Sequence, residues 1–209
     1  MKNKFTCIVC DPPYAFSDKL KQSDVLRGAE SNYSTMTIDQ IKSIPIKDIA
    51  SEDGAILALW VPSSLLKEGL EIMECYGFKH KQTYIWVKSK NNKSISKEKN
   101  KNDFSLNHTL AFGMGRLFRN CHEICLIGIN NNKIYKKLSN KSQRTVSFSE
   151  NLKHSKKPED LQDSLDYMFP NERKIEIFAR RKRDGWTCLG NQSPETFGED
   201  IFDSIKNIK

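Results

Sequence analysis

A short apolar run, Phe5-Thr6-Cys7-Ile8-Val9-Cys10, is cut off by Asp11-Pro12-Pro13-Tyr14. Proline has no N–H to give to a sheet ladder, so two in a row end a strand where they stand. A second run, Ala55 to Val61, is apolar at every position. That is the pattern of a strand covered on both faces, which needs helices above and below the sheet. Thr37 and Gln40 have capping-box spacing for a short helix, Ile38 to Ile44. Ser63 or Ser64 is placed to cap a helix running to about Tyr76. Leu65, Leu66, Leu70, Ile72 and Met73 would face its buried side, and Gly77 would stop it. A further helix is expected from Pro158 to about Phe169, with Glu159 and Asp160 in its first turn as the helix dipole favours. Strands are expected at Tyr84 to Val87, His122 to Ile129, Lys174 to Ala179 and Trp186 to Leu189. Strands alternating with helices predict an α/β three-layer sandwich with a mostly parallel sheet. The 209 residues suffice for a single domain, 1–209.

Two stretches do not read as core. Residues 14–34 are polar and irregular, and loops of that length inside a domain are commonly functional or disordered. From Lys88 to Lys101 there are six lysines and one glutamate. Residues 88–107 are therefore expected to form a mobile basic loop, in which Lys93, Lys97, Lys99 and Lys101 would contact phosphates. The net charge of +8 suits a polyanionic partner such as nucleic acid. A lysine- and asparagine-rich coding bias would give the same charge with no partner at all. No apolar run approaches the length of a membrane span and no signal-peptide pattern opens the chain, so a soluble cytoplasmic protein is expected. Cys7 and Cys10 have a C-x-x-C spacing but fall inside the first strand. A zinc knuckle needs a turn there and a second pair nearby, so reduced core cysteines and no metal are expected.

The tetrapeptide is where chemistry is expected. In α/β sheets ligands bind beyond the carboxyl ends of strands, which is where Asp11 would be delivered. A carboxylate, two stiffened carbonyls and an aromatic face would meet there. This set suits the adenine N6 amine, a poor nucleophile whose lone pair is delocalised into the ring. Asp11 and the Pro12 carbonyl could accept its hydrogens while Tyr14 stacks on the base. Any strand can end in Asp-Pro-Pro, however, and four residues alone do not separate a site from a stop.

Further blocks follow in order: Tyr33-Ser34-Thr35-Met36, Ile44-Pro45-Ile46, Leu59-Trp60-Val61, Tyr76-Gly77-Phe78 and Ile85-Trp86-Val87-Lys88. After them come Arg119-Asn120-Cys121-His122-Glu123, Lys157-Pro158-Glu159, Lys174 to Arg180, and Trp186 to Gln192. With Asp11-Pro12-Pro13-Tyr14 they resemble the N6-adenine methyltransferase family typified by the catalytic subunit of the eukaryotic messenger-RNA adenosine methyltransferase. The resemblance implies a Rossmann-like sandwich, S-adenosylmethionine as cofactor, and methylation of adenine N6 in nucleic acid. DNA is favoured over RNA because no accessory RNA module is visible. An RNA enzyme and a catalytically inactive partner subunit of the same fold are the alternatives, and a homodimer or a heterodimer with a related subunit fits the family.

By the same resemblance, Asp11, Pro12, Pro13 and Tyr14 would be catalytic. Asp11, Lys157, Arg180, Asn191 and Gln192 would hold the cofactor, and Tyr33 and Glu123 would lie near the target adenine. Arg181 to Arg183 depart from the family pattern. Ten residues precede Asp11, where family members carry a strand and loop that wall the cofactor. That wall is expected instead from residues 193–209.

Overall fold

The two apolar runs form the middle of the sheet. The computed structural model describes residues 4–15, 35–90, 109–111, 113, 117–150 and 157–208. Among these, seven strands form one sheet: β1 (Cys7–Cys10), β2 (Ile56–Val61), β3 (Lys79–Ser89), β4 (His122–Ile129), β5 (Val146–Glu150), β6 (Lys174–Ile177) and β7 (Trp186–Leu189). They lie in the order β5-β3-β4-β2-β1-β6-β7. β1 is parallel to both neighbours, with Cys10 level with Leu59 of β2 and Ile177 of β6. All residues of β1 and β2 are buried, as strands covered on both faces must be.

The sheet is mostly parallel, but β4 runs against both β2 and β3. This reversal matters for the site. It brings the amino end of β4, His122 and Glu123, to the rim where β1, β2 and β3 have their carboxyl ends. The chain leaves β1 toward β2 and leaves β6 in the opposite direction, toward β7. The ends of β1 and β6 therefore border the switch point, where open α/β sheets take their ligands.

Helices cover both faces. On one lie α1 (Ile38–Lys42), α2 (Ile46–Ile49), α3 (Leu66–Cys75) and α5 (Ile201–Lys206). Their Ile41, Ile46, Ile72, Met73 and Ile205 pack against Ile8, Cys10, Leu57 and Ile177 of the strands. On the other face α4 (Asp160–Met168) packs Leu161 and Leu165 against Cys7, Val9, Trp60 and Trp186. Each such fully buried aliphatic side chain contributes about 1.5–3 kcal/mol of apolar burial. Cys7 and Cys10 thus point to opposite faces of the sheet, so they cannot share a ligand.

The local signals hold in part. Thr37 and Gln40 form the reciprocal capping box at 3.2 and 2.8 Å. Gly77 takes φ +81° and ends α3. Ser63 and Ser64 do not cap that helix: they lie within a 3₁₀ turn, Ser63–Leu65, and α3 begins after it with no side-chain cap. β3 starts at Lys79, ahead of the expected Tyr84; its first residues pair with β4 but are exposed and polar, so no apolar run marks them. Lys88 and Ser89 close β3 and so belong to the strand, not to the basic loop. β5, an edge strand with exposed Val146 and Phe148, has no apolar run to announce it. β6 stops at Ile177 because Phe178 turns to φ 65°. No described helix is long and apolar enough to cross a membrane.

Candidate active site

Asp11 is the first residue past β1, and its N–H makes a long 3.4 Å bond to Ile177. Beyond it the two prolines end the ladder, and the strand swings into a bridge between Tyr14 and Met36. Each of the two proline carbonyls holds one backbone hydrogen bond. Pro12 O accepts from the Tyr14 N–H at 3.0 Å and Pro13 O from the Met36 N–H at 2.7 Å. Each keeps one further lone pair, so Pro12 can still accept a second hydrogen bond.

Tyr14 turns inward. The residue is 4% exposed, part of the core beneath the rim, and its hydroxyl donates to the Trp60 carbonyl at 3.1 Å. Burial pushes that hydroxyl well above the usual phenol range. Base stacking by Tyr14 would require the ring to leave this seat. As placed, it braces the tetrapeptide against β2.

The rim carries a row of alternating charges. Lys157 Nζ donates to both oxygens of Asp11, at 3.0 and 2.9 Å, and lies 3.1 Å from Glu123 Oε2. It also sits 5.3 Å from the centre of the Trp60 ring. Burial works against the charge on Lys157, but Asp11 and Glu123 outweigh it and hold the ammonium above its ordinary range. Burial likewise opposes the Glu123 carboxylate, while Lys157 and then Lys88 keep it below the usual range. Glu123 reaches this place only because β4 runs backwards through the sheet.

A cavity of about 440 Å³ opens beside Asp11. Its floor continues from Asp11 and Pro13 to Phe178 and Arg180 past β6, then to Asn191 and Gln192 past β7. Two strand spacings, about 10 Å, separate the β1 end from the β7 end. One wall is Thr35, Met36 and Gln40; the other is Gly198 to Phe202, leading into α5. Part of the C-terminal segment, 198–202, thus lines this cavity. Gly190, just past β7, admits no side chain: a Cβ there would lie 2.5 Å from the Ala179 carbonyl oxygen.

The structure thus gathers Asp11, Arg180, Asn191 and Gln192 around one cavity and ties Asp11 to Lys157 and Glu123. Tyr33, Lys93, Lys97, Lys99 and Lys101 lie outside the described residues, as does nearly all of the expected basic loop. Sequence reasoning assigned no role to Lys88 or Trp60, although both fall in the blocks it singled out. Among the described residues, no group of three or more His, Cys, Asp or Glu is placed to hold a metal.

Arg181 and Arg183 have a structural use. Arg181 pairs with Glu159 at 2.5 Å and approaches Glu176 at 3.7 Å. Arg183 bonds Glu159 and, at 2.6 and 2.7 Å, Asp163 and Asp166. Both tie the end of β6 to α4, away from the cavity. Arg183→Ala should therefore lower stability by about 2–3 kcal/mol, since it removes hydrogen bonds to charged groups in a partly buried cluster. Denaturant unfolding would show this. Loss of cofactor affinity with unchanged stability would instead place Arg183 at the site.

Residues 5–192 match the MT-A70 family. A probable N(6)-adenosine-methyltransferase MT-A70-like protein of Oryza sativa subsp. japonica is 28% identical over 191 residues, covering 90% of this chain and 23% of that protein. The N(6)-adenosine-methyltransferase catalytic subunit METTL3 of Homo sapiens is 26% identical over 191 residues, covering 90% of this chain and 28% of that protein. The type II methyltransferase M.MunI of Mycoplasma sp is 22% identical over 209 residues, covering 93% of this chain and 80% of that protein. The chain spans about a quarter of the length of the two eukaryotic relatives.

Proposed function

The chain belongs to the MT-A70 family, and on that basis we propose that it is an S-adenosylmethionine-dependent methyltransferase of adenine N6 in nucleic acid. The observation that carries this reading is Asp11, a carboxylate shared by the cavity on one side and the Lys157–Glu123 cluster on the other. The cavity fits the cofactor chemically. Its lining includes the Asp11 carboxylate at the β1 end, suited to an amino group, and the Asn191–Gln192 amides past β7, suited to a nucleoside. Arg180 lies between them, and part of the C-terminal segment, 198–202, lines the side. When bound there, S-adenosylmethionine would supply a methyl group from its sulfonium sulfur, which would keep the pair of the broken C–S bond and be left as a neutral thioether.

The protein's own residues do the rest. Lys157 occupies two of the roughly four lone-pair positions of Asp11 and leaves the others available. Asp11 accepts an N6–H hydrogen and draws the nitrogen toward sp³ geometry. The carboxylate then stabilises the positive charge that grows on N6 as the new N–C bond forms, and it takes the proton that the methylated amine sheds. Fixed charges of this kind need no reorganisation during reaction, which is the source of their effect on rate. Tyr14 contributes by holding the tetrapeptide in place. Tyr14→Phe should cost about 1 kcal/mol for the missing hydroxyl bond, whereas Tyr14→Ala should cost about 3–5 kcal/mol and most of the activity. Equal activity losses in the two variants would mean that the hydroxyl itself acts in the reaction.

We read the polymer as DNA in preference to RNA, supported by the match along most of a type II methyltransferase. The target adenine must leave its stack to reach the rim, so mismatched or single-stranded sites should react faster than perfect duplex. Initial rates on matched DNA and RNA oligonucleotides test the assignment. Faster transfer to RNA would favour the RNA alternative, and cofactor binding without transfer to either would mark a non-catalytic subunit. Lys93, Lys97, Lys99 and Lys101 are proposed to bind phosphates. Replacing all four with Ala should reduce the salt slope of binding by roughly one for each phosphate no longer neutralised. An unchanged slope would reject that role.

A further inference from the structure

Glu123 is gripped from two sides. Trp86 of β3 stands opposite Glu123 of β4 in the antiparallel register. Lys88, two residues on, projects from the same face of β3 and reaches diagonally across. Its ammonium lies 2.5 Å from Glu123 Oε1 and 5.0 Å from the centre of the Trp86 ring. The other carboxylate oxygen, Oε2, is 3.1 Å from Lys157. Glu123 therefore gives one oxygen to each lysine, and Lys157 divides itself between Glu123 and Asp11.

The stem of Lys88 is fixed as well. Its N–H donates to the Cys121 carbonyl at 2.8 Å, and its carbonyl accepts from the Ala111 N–H at 2.7 Å. The side chain thus starts from a backbone pinned on both sides. The row Lys88, Glu123, Lys157, Asp11 is electrically neutral when all four are ionised.

We propose that Lys88 is a positioning residue of the active site: by anchoring Glu123 it holds Lys157 midway between two carboxylates, and so fixes the Asp11 carboxylate for the target amine. The proposal rests on the reading of Asp11 as the methyl-transfer carboxylate. Without Lys88, Glu123 keeps Lys157 as its close cation among the described residues and draws that ammonium away from Asp11. The cluster then carries one uncompensated negative charge. That charge attracts a sulfonium already in the ground state, so it does not speed transfer.

The test compares Lys88→Met with Lys88→Arg, which keeps the charge. Among the described residues, the groups facing Glu123 are Lys88 from β3 and Lys157 from the segment before α4, with Asp11 of the β1 end beyond Lys157. The titration of the Glu123 carboxyl can be followed by NMR of protein labelled at glutamate Cδ, with Glu123→Gln to assign the signal. Its midpoint should rise in Lys88→Met, which removes a neighbouring cation, and return toward wild type in Lys88→Arg. In turnover, Lys88→Met should lose about 10-fold in kcat, with KM for S-adenosylmethionine unchanged or lower and the acid limb of the pH–rate profile moved upward. A merely structural role would leave the acid limb where it is. An unmoved Glu123 midpoint, an unmoved acid limb, or failure of Arg to rescue would each overturn the proposal. A wild-type protein that transfers no methyl group would overturn the proposed function instead, and the Glu123 titration would still decide whether Lys88 controls the cluster.

Discussion

Replacing Asp11 with Ala is expected to lower methyl transfer by at least about 10²–10³, the usual cost of removing one preorganised group aimed at developing charge. The loss should appear in kcat and not only in KM, because the interaction strengthens as N6 becomes positive. Affinity for S-adenosylmethionine should fall too, since Asp11 lines the cavity. The fold should survive, because the strand is ended by the prolines, the Tyr14 hydroxyl remains bonded to Trp60, and Lys157 retains Glu123. Asp11→Asn separates charge from shape: it can still accept through its carbonyl oxygen but cannot take the proton. It should therefore be nearly as slow as Ala while binding the cofactor better. Single-turnover rates and calorimetric binding measure both effects, and turnover within a few-fold of wild type in either variant would remove Asp11 from the mechanism.

Lys157→Met should cause the second large loss. Asp11 and Glu123 would then face each other without the cation that now sits between them. Positioning of Asp11 would go with it, and a rate loss of about 10² is expected. The pH dependence of stability gives an independent check. In wild type, Lys157 and Lys88 hold the Glu123 carboxyl below its unfolded value despite burial. A depressed carboxyl contributes stability that is present above the unfolded pKa, about 4.3, and is lost as pH falls through the folded value. Lys157 is the mirror case. Its ammonium is held above its unfolded value, so its contribution is present below about 10.4 and fades as pH rises through the folded value. The stability gap between wild type and Lys157→Met should thus be widest in the neutral range and narrow below about pH 4. A gap that stays constant through acid would show that Lys157 acts by packing alone.

Much of this architecture is legible from the chain. The runs at Cys7–Cys10 and Ile56–Val61 are apolar because both faces are covered. His122–Ile129 is legible from its buried centre, and Trp186–Leu189, although at the sheet's other edge, from its buried Trp186, Cys188 and Leu189. The first residues of β3 and all of β5 are not, because exposed or edge positions carry no apolar run. The cavity residues Asp11, Arg180, Asn191 and Gln192 come from family blocks, and the strand order β1-β6-β7 explains why blocks so far apart in sequence meet. Three features need the structure. The inward turn of Tyr14 depends on a gap under the rim that only the packed helices define. The pairing of Arg181 and Arg183 depends on where α4 docks. The approach of Lys88 to Glu123 depends on β4 being antiparallel and on its register with β3, neither of which the residues announce. The reversed strand also joins Glu123 to the Asp11 cluster, so the direction of one strand decides the electrostatics of the site.

The most direct measurement is the chemical position of the transferred methyl group. An oligonucleotide would be incubated with the protein and S-adenosylmethionine carrying an isotopic label in its methyl group, digested to nucleosides, and resolved by mass spectrometry. Label is expected on the N6 of adenine with wild-type protein, and none above background with Asp11→Ala. Label on any other atom, on cytosine or on the ribose, or N6-labelled adenine formed equally by Asp11→Ala, would refute the assignment.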